Sequence, residues 1–322
     1  MANEAFAKAL NTLGKEKEPF FVAVDFDQSH YLLYPLRTLP TSILYSLDGN
    51  SNATSEQSTH VPVLSQQSYV DKQRYHKAYE EVIEEIKKGN TYLLNLTFPT
   101  SLHLEGSLEE VFYASEALFK CCLKEHFVCF SPERFVKIEN NCIRTYPMKG
   151  TIDASIENAK ELILADEKEM DEHVMAVDLL RNDLSMVAKK VSVERFRYVE
   201  KIKAGERELL HVSSKIKGEL DDSWHECIGT ILSTLLPAGS ISGTPKRSSV
   251  EIIKKVEGYE RGYFTGIFGV YDGETFDSGV MIRFLEKTPN GIVFKSGGGI
   301  TLLSDMQKEY DEMCHKVYIP IA

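Results

Sequence analysis

Two side chains have the types and the spacing for acid and nucleophile chemistry. Lys149 sits in "IRTYPMKGTIDAS" (143–155), inside a Pro-Met-Lys-Gly-Thr turn. A solvated surface lysine is the ordinary reading of that residue type. Glu133, in "SPERF", lies sixteen residues earlier. If 133–138 and 142–147 form adjacent strands, the two side chains converge near one mouth. A carboxyl beside an amine supplies a general acid and a nucleophile or base. Two short strands also allow geometries in which the pair never meets, so spacing alone leaves both readings open.

Carboxylates recur at helical spacing. Glu169 and Glu172, and separately Glu309 and Glu312, are three residues apart, so each pair shares a helix face. Paired carboxylates repel unless a cation joins them, and hard oxygen ligands suit Mg²⁺. Glu81 and Glu84 have the same spacing, so a solvated acidic face is the competing reading. Lys316 follows Glu312 by four residues on the same stripe, as a salt-bridged surface would also arrange it. The loop "GSISGTPK" (239–246) is a third candidate. Thr244 is expected to cap a helix whose first turn holds Pro245. The glycines, Gly243 among them, would let backbone N–H groups approach an anion. The Gly-Lys-Ser/Thr ending of a phosphate-binding P-loop is missing, so a plain cap and an anion site both remain.

These residues need elements to position them. "FFVAVDF" (20–26) reads as a strand that pairs with "HYLLYPL" (30–36), and the polar 48–59 stretch as a mobile loop. From Tyr75 the spacing of Tyr79, Val82 and Ile86 predicts a helix stopped by Gly89. "TYLLNLTF" (91–98) reads as a strand, and 126–147 as two strands turning at "ENN". Helices are predicted at 157–188, 224–236, 246–258 and 305–318, with Gly-rich strands between the last two. No regular βαβ alternation appears. The expectation is an α+β fold with large antiparallel sheets.

Bulk composition narrows the function classes. The 322 residues suffice for one large core or two ordinary domains. A net charge of −11 argues against a nucleic-acid surface, although local potential still decides whether an anionic substrate binds. The six cysteines lack zinc-type spacing and read as reduced thiols. "MANEAFAKALNTLGKEKEP" has no apolar leader core. No apolar run nears the roughly 20 residues of a membrane span. A cytoplasmic protein without membrane association is expected.

Taken in order, "KKGNTYLLNLTF", "SPERF", "PMKGT", "DEHVMAVDLLRNDL", "LLHVSS", "PAGSISGTPK", "ERGYFTGIFG", "GVMIR", "GGGI" and "EYDEMCHK" resemble the chorismate-utilising enzymes over roughly residues 70–320. That family includes anthranilate, isochorismate, salicylate and aminodeoxychorismate synthases. The resemblance implies two large antiparallel sheets with helices outside. It also implies one domain over 1–322, with a shortened strand region at 1–70 and a catalytic core at 71–322. Anthranilate and isochorismate synthases typically carry alanine where Lys149 stands, and aminodeoxychorismate synthases carry lysine. "PMKGT" therefore resembles the latter branch, with Glu133 at its acid position.

That branch makes 4-amino-4-deoxychorismate from chorismate and ammonia, for 4-aminobenzoate and folate. The resemblance implies that the lysine amine adds at ring C2 while Glu133 protonates the departing C4 hydroxyl. Ammonia then attacks C4 and expels the lysine. An amine of pKa about 10.4 is scarcely neutral at neutral pH, so Lys149 must be desolvated or lie near positive charge. Glu133 is expected to be protonated when chorismate is bound. The family pattern implies Mg²⁺ held by Glu172 and Glu312, with Glu169 and Glu309 behind through water. Tyr263 and Arg283 resemble the pair that holds the pyruvyl carboxylate. Backbone around Gly298 and Gly299, with Lys316, would complete carboxylate recognition. His211 falls at the family's active-site histidine, and a core histidine on a strand is its plain alternative.

Ser185, Met186, Leu302 and Leu303 depart from the family's usual Gly-Arg and Ala-Asp. With the region before Tyr75 short, no tryptophan regulation is expected. None of the cysteines lies in the Gly-x-Cys-x-Gly turn of glutamine amidotransferases. Ammonia is therefore expected from a separate glutaminase subunit or from solution. Two rival readings are an anthranilate synthase, opposed by Lys149, and a non-catalytic chorismate-binding scaffold, opposed by the intact acids.

Overall fold

The strand Phe20–Val24 shows how the core is organised. Successive strand residues face opposite ways. Phe20, Val22 and Val24 enter one apolar cluster, while Phe21 and Ala23 enter another. All five are fully buried, which is why the run is unbroken hydrophobic rather than alternating. The computed structural model describes residues 2–54, 61–204 and 207–321, and positions 55–59 of the expected loop lie outside them. The start of that stretch is ordered: Asn50–Ser51 folds back on Ile43–Leu47 as a short hairpin.

The described residues form two nine-stranded sheets in which every pairing is antiparallel. In the first, Met148–Asp153 and Cys142–Thr145 both pair with one side of the long strand Arg207–Glu219. Arg134–Glu139, Phe276–Val280, Ile267–Tyr271, Phe20–Val24 and Tyr31–Pro35 follow in order. Lys189–Ala204 pairs with the other side of Arg207–Glu219. The second sheet runs from Gly243–Thr244 through Leu93–Glu105, Gly291–Ile300, Phe284–Thr288, Phe127–Ser131 and Phe119–Leu123 to Ile43–Leu47. Phe21, Tyr45, Phe119, Phe127, Phe268 and Phe284 pack between the sheets. Helices cover the outer faces: Lys72–Lys87, Ile228–Leu235 and Lys246–Glu257 on one, Leu108–Ala114 on the other. This is the α+β arrangement that the sequence predicts.

The differences lie mainly at boundaries. The predicted strand at 126–138 is two strands, Phe127–Ser131 and Arg134–Glu139, which belong to different sheets. The predicted helix at 157–188 divides at Asp166 into Ala159–Ala165 and Glu167–Ser185. Thr244 does not cap a helix. It pairs with Leu93 in a short strand, and the helix starts at Lys246 with Pro245 before it. The helix Ala2–Lys15 and the edge strand Lys189–Ala204 were not anticipated. No helix among the described residues is long and apolar enough to cross a membrane.

Candidate active site

Two chain crossings between the sheets build the site. The first passes from Phe127–Ser131 through Pro132 and Glu133 to Arg134–Glu139. The second returns from Phe276–Val280 through Met281, Ile282 and Arg283 to Phe284–Thr288. The crossings run side by side and are tied together. Val280 N–H donates to Glu133 O at 3.1 Å, and Phe130 N–H donates to Arg283 O at 3.2 Å. Proline lacks a backbone donor and disfavours helix in the residue before it, so "SPE" suits a break in strand pairing. Arg283 has a left-handed backbone, φ 53°, a conformation concentrated at constrained functional positions.

A cavity of about 490 Å³ opens at this seam, with Glu133 and Arg283 in its wall. Lys149 enters from Met148–Asp153, where the register shifts between Lys149 and Thr151. Gly150 takes φ 76° there, and such a bulge re-aims its neighbouring side chain. The helix Glu167–Ser185 brings Glu169 and Glu172. Its start is set by Asp166, whose carboxylate accepts from Glu169 N–H at 2.9 Å. The helix Met306–His315 brings Glu309 and Glu312, and Asp305 caps it by accepting from Lys308 N–H at 3.0 Å. Gly298 and Gly299 floor the space. A Cβ on Gly298 would lie 3.4 Å from Glu309 Oε2 and 3.8 Å from Lys316 Nζ; one on Gly299 would lie 3.9 Å from Lys149 Nζ.

Charges of both signs meet in this cavity. Lys149 Nζ stands 3.9 Å from Glu172 Oε2. Lys316 Nζ lies 2.7 Å from Glu312 Oε1 and donates to Gly297 O at 2.9 Å. Glu133 accepts from the Ser240 hydroxyl, and its N–H donates to Ser131 Oγ at 3.1 Å. Burial pushes the Glu133 carboxyl above the usual carboxylate range, against the opposing pull of the Ser240 bond and Lys149. Burial favours the neutral form of an acid. The four helix glutamates are hard oxygen donors of the kind Mg²⁺ takes, and all four line this one cavity. Among the described residues no three ligand-type side chains are gathered as a ready-made metal cluster. The donor set fits magnesium by its chemistry.

Lys149, Glu133, Arg283, Gly298, Gly299, Lys316, Thr244, Glu169, Glu172, Glu309 and Glu312 therefore come together. Three other candidates do not line the cavity. Tyr263 turns away from it: its ring stacks on Phe127 with centroids 5.2 Å apart, and burial raises its hydroxyl pKa to about 12. Its neighbours Phe264 and Thr265 line the cavity. His211 sits behind the lining, paired across strands with Thr151 and Glu200. Its Nε2 is 3.4 Å from Glu200 Oε2, and burial lowers its pKa although Glu200 opposes this. Gly243 is pressed against the neighbouring strand, where an added Cβ would meet Leu93 O at 2.4 Å. It supports the loop rather than the lining. Ser240 was missed as an individual residue. It lies inside the loop already singled out, but only the fold shows that it meets Glu133. Met186, Leu302 and Leu303 are exposed, and the Ser185 hydroxyl donates to Arg181 O at 2.8 Å. None of the four departures touches this wall.

Comparison with other proteins agrees with this architecture. The menaquinone-specific isochorismate synthase MenF of Escherichia coli has the same fold, with a TM-score of 0.74 at 18% identity over 97% of this chain and 80% of that one. An uncharacterised PabA-like protein of Pasteurella multocida is 46% identical over 324 residues, covering 100% of both chains. Aminodeoxychorismate synthase component 1 of Salmonella typhimurium is 32% identical over 267 residues, which is 78% of this chain and 57% of that protein. Residues 11–322 match the family described as chorismate binding enzyme. With that match spanning both sheets and every wall of the cavity, the chain belongs to the chorismate binding enzymes.

Proposed function

We propose that this protein is an aminodeoxychorismate synthase of the component 1 type, which replaces the C4 hydroxyl of chorismate with an amino group. The observation that carries this reading is Lys149 in the cavity wall together with Glu133, whose carboxyl is held above its ordinary pKa. In the first step the Lys149 amine forms a bond to ring C2 and the C4–O bond breaks, with Glu133 giving its proton to the departing hydroxyl as water leaves. In the second, ammonia bonds to C4, the C2–N bond to lysine breaks, and the amine is released. Splitting one hard displacement into two easier ones is the general advantage of covalent capture. The overall balance is chorismate plus ammonia to 4-amino-4-deoxychorismate plus water.

Arg283 is suited to a bidentate contact with a substrate carboxylate, and Lys316 with the Gly298–Gly299 backbone to the other. Glu172 and Glu312 would hold Mg²⁺, with Glu169 and Glu309 behind them. Bound there, the ion would supply positive charge against the ring carboxylate. His211 and Tyr263 act, in this reading, from behind the lining. A separate glutaminase subunit supplying ammonia, a cytoplasmic setting and a place in 4-aminobenzoate and folate synthesis go with it.

The test is chorismate turnover with magnesium and ammonium at alkaline pH, coupled to purified aminodeoxychorismate lyase and read as 4-aminobenzoate. Lyase-dependent product that disappears in Lys149→Ala is the expected result. Anthranilate formed without the lyase would move the protein to the anthranilate synthase branch. Chorismate that binds but is never consumed would make it a scaffold.

A further inference from the structure

Arg283 is a cation in a cavity of mixed charge, and it is held without an acid. Among the described residues its guanidinium makes no ion pair and no hydrogen bond. It lies over the ring of Tyr318, with the guanidinium carbon 4.8 Å from the ring centroid. Tyr318 does not line the cavity, whereas Arg283 does. The ring is fixed from its own segment. Val317 is buried in the cluster behind the second sheet, Lys316 donates to Gly297 O, and Tyr318 N–H donates to Lys316 O at 3.1 Å.

All five N–H donors of a guanidinium lie in its plane. A carboxylate used to hold it would occupy two of them and cancel its charge. A ring against its face takes none and leaves the charge unpaired. From this geometry we infer that Tyr318 is a positioning residue for substrate binding: its ring steadies the Arg283 guanidinium with donors and charge free for a carboxylate of the substrate. The inference rests on the proposed chorismate reaction for the identity of that carboxylate. Tyr318 is 41% exposed, so replacing it leaves the core intact.

The experiment compares Tyr318→Leu and Tyr318→Phe in the full chain, alone and in an Arg283→Gln background. It measures kcat, KM for chorismate, KM for ammonium and melting temperature. Tyr318→Leu is expected to raise KM for chorismate by about two- to fivefold, the range of a partly exposed cation–π contact. kcat, ammonium KM and melting temperature should hold. Tyr318→Phe, which keeps the ring, should restore the wild-type KM. In the Arg283→Gln background Tyr318→Leu should add nothing, because coupled residues are non-additive. An unchanged KM in Tyr318→Leu overturns the inference, as does the same loss in both backgrounds or no rescue by phenylalanine. Wild-type protein that neither binds nor turns over chorismate overturns the proposed function first and this inference with it. Wild-type turnover with an indifferent Tyr318 overturns this inference alone.

Discussion

In the proposed reaction Glu133 would have to be acid enough to give a proton and buried enough to keep it until needed. Its raised pKa has two consequences with opposite benefits. As a proton donor it fails once ionised, so activity should fall on the alkaline side only above its raised value, beyond the about 4.3 of a free glutamate. Glu133→Gln should erase that limb of the kcat profile and lower kcat by about 10²- to 10⁴-fold. A pH–rate series on both proteins checks this, and an identical limb in the variant would remove Glu133 from the acid's role. For stability, a folded pKa above the unfolded one gives a contribution that is complete below the unfolded value. That contribution is lost as pH rises through the folded value. Urea melts should therefore find Glu133→Gln more stable than wild type at alkaline pH, with the gap closing on acidification. Greater stability with less activity is the pattern expected where a site is kept strained for its chemistry.

The elements around these residues were legible where a period repeats and obscure where it breaks. The helix Lys72–Lys87 buries Val82 and Ile86 of the stripe that the sequence displays, with Tyr75 and Ala78 beside them and Tyr79 partly buried against the same cluster. Asp166 was hidden because the apolar spacing continues across it, although its side chain caps the second helix. Lys189–Ala204 escaped notice because its charged residues and three register shifts spoil the alternation expected of a strand. The joint placement of the four glutamates in one cavity follows from their helix faces, which the spacing displays. Tyr263 and His211 lie outside the lining, a placement that spacing does not display because one step along a strand or turn reverses the side chain. The glycine floor offers a test of the same idea. An added Cβ at Gly297 would meet Leu96 O at 2.2 Å, whereas at Gly299 the nearest atom is 3.8 Å away. Gly297→Ala should destabilise the protein by about 3 kcal/mol or more through overpacking, while Gly299→Ala should fold normally. Chemical denaturation of the two variants checks the contrast.

At the scale of the molecule, the two carboxylate-bearing helices come from distant parts of the chain and both line the cavity. A cation shared between Glu172 and Glu312 would tie them, so magnesium should stabilise the fold without any substrate. Ligand at a hundredfold excess over its Kd adds about 2.7 kcal/mol. A rise in melting temperature with magnesium, lost in Glu172→Gln and in Glu312→Gln, is the expected outcome, and an equal rise in all three proteins would refute the shared site. The paired crossings at Glu133 and Arg283 carry a different implication, one about time. Each crossing belongs to both sheets, and the strands that hold them in register come from the middle and the end of the chain. Pairings between such remote segments form slowly. The wall they form cannot exist in a half-built chain, however much helix or sheet that chain already contains. Regain of chorismate turnover on refolding should therefore trail the return of secondary structure, making enzyme activity a clock for the last event in assembly.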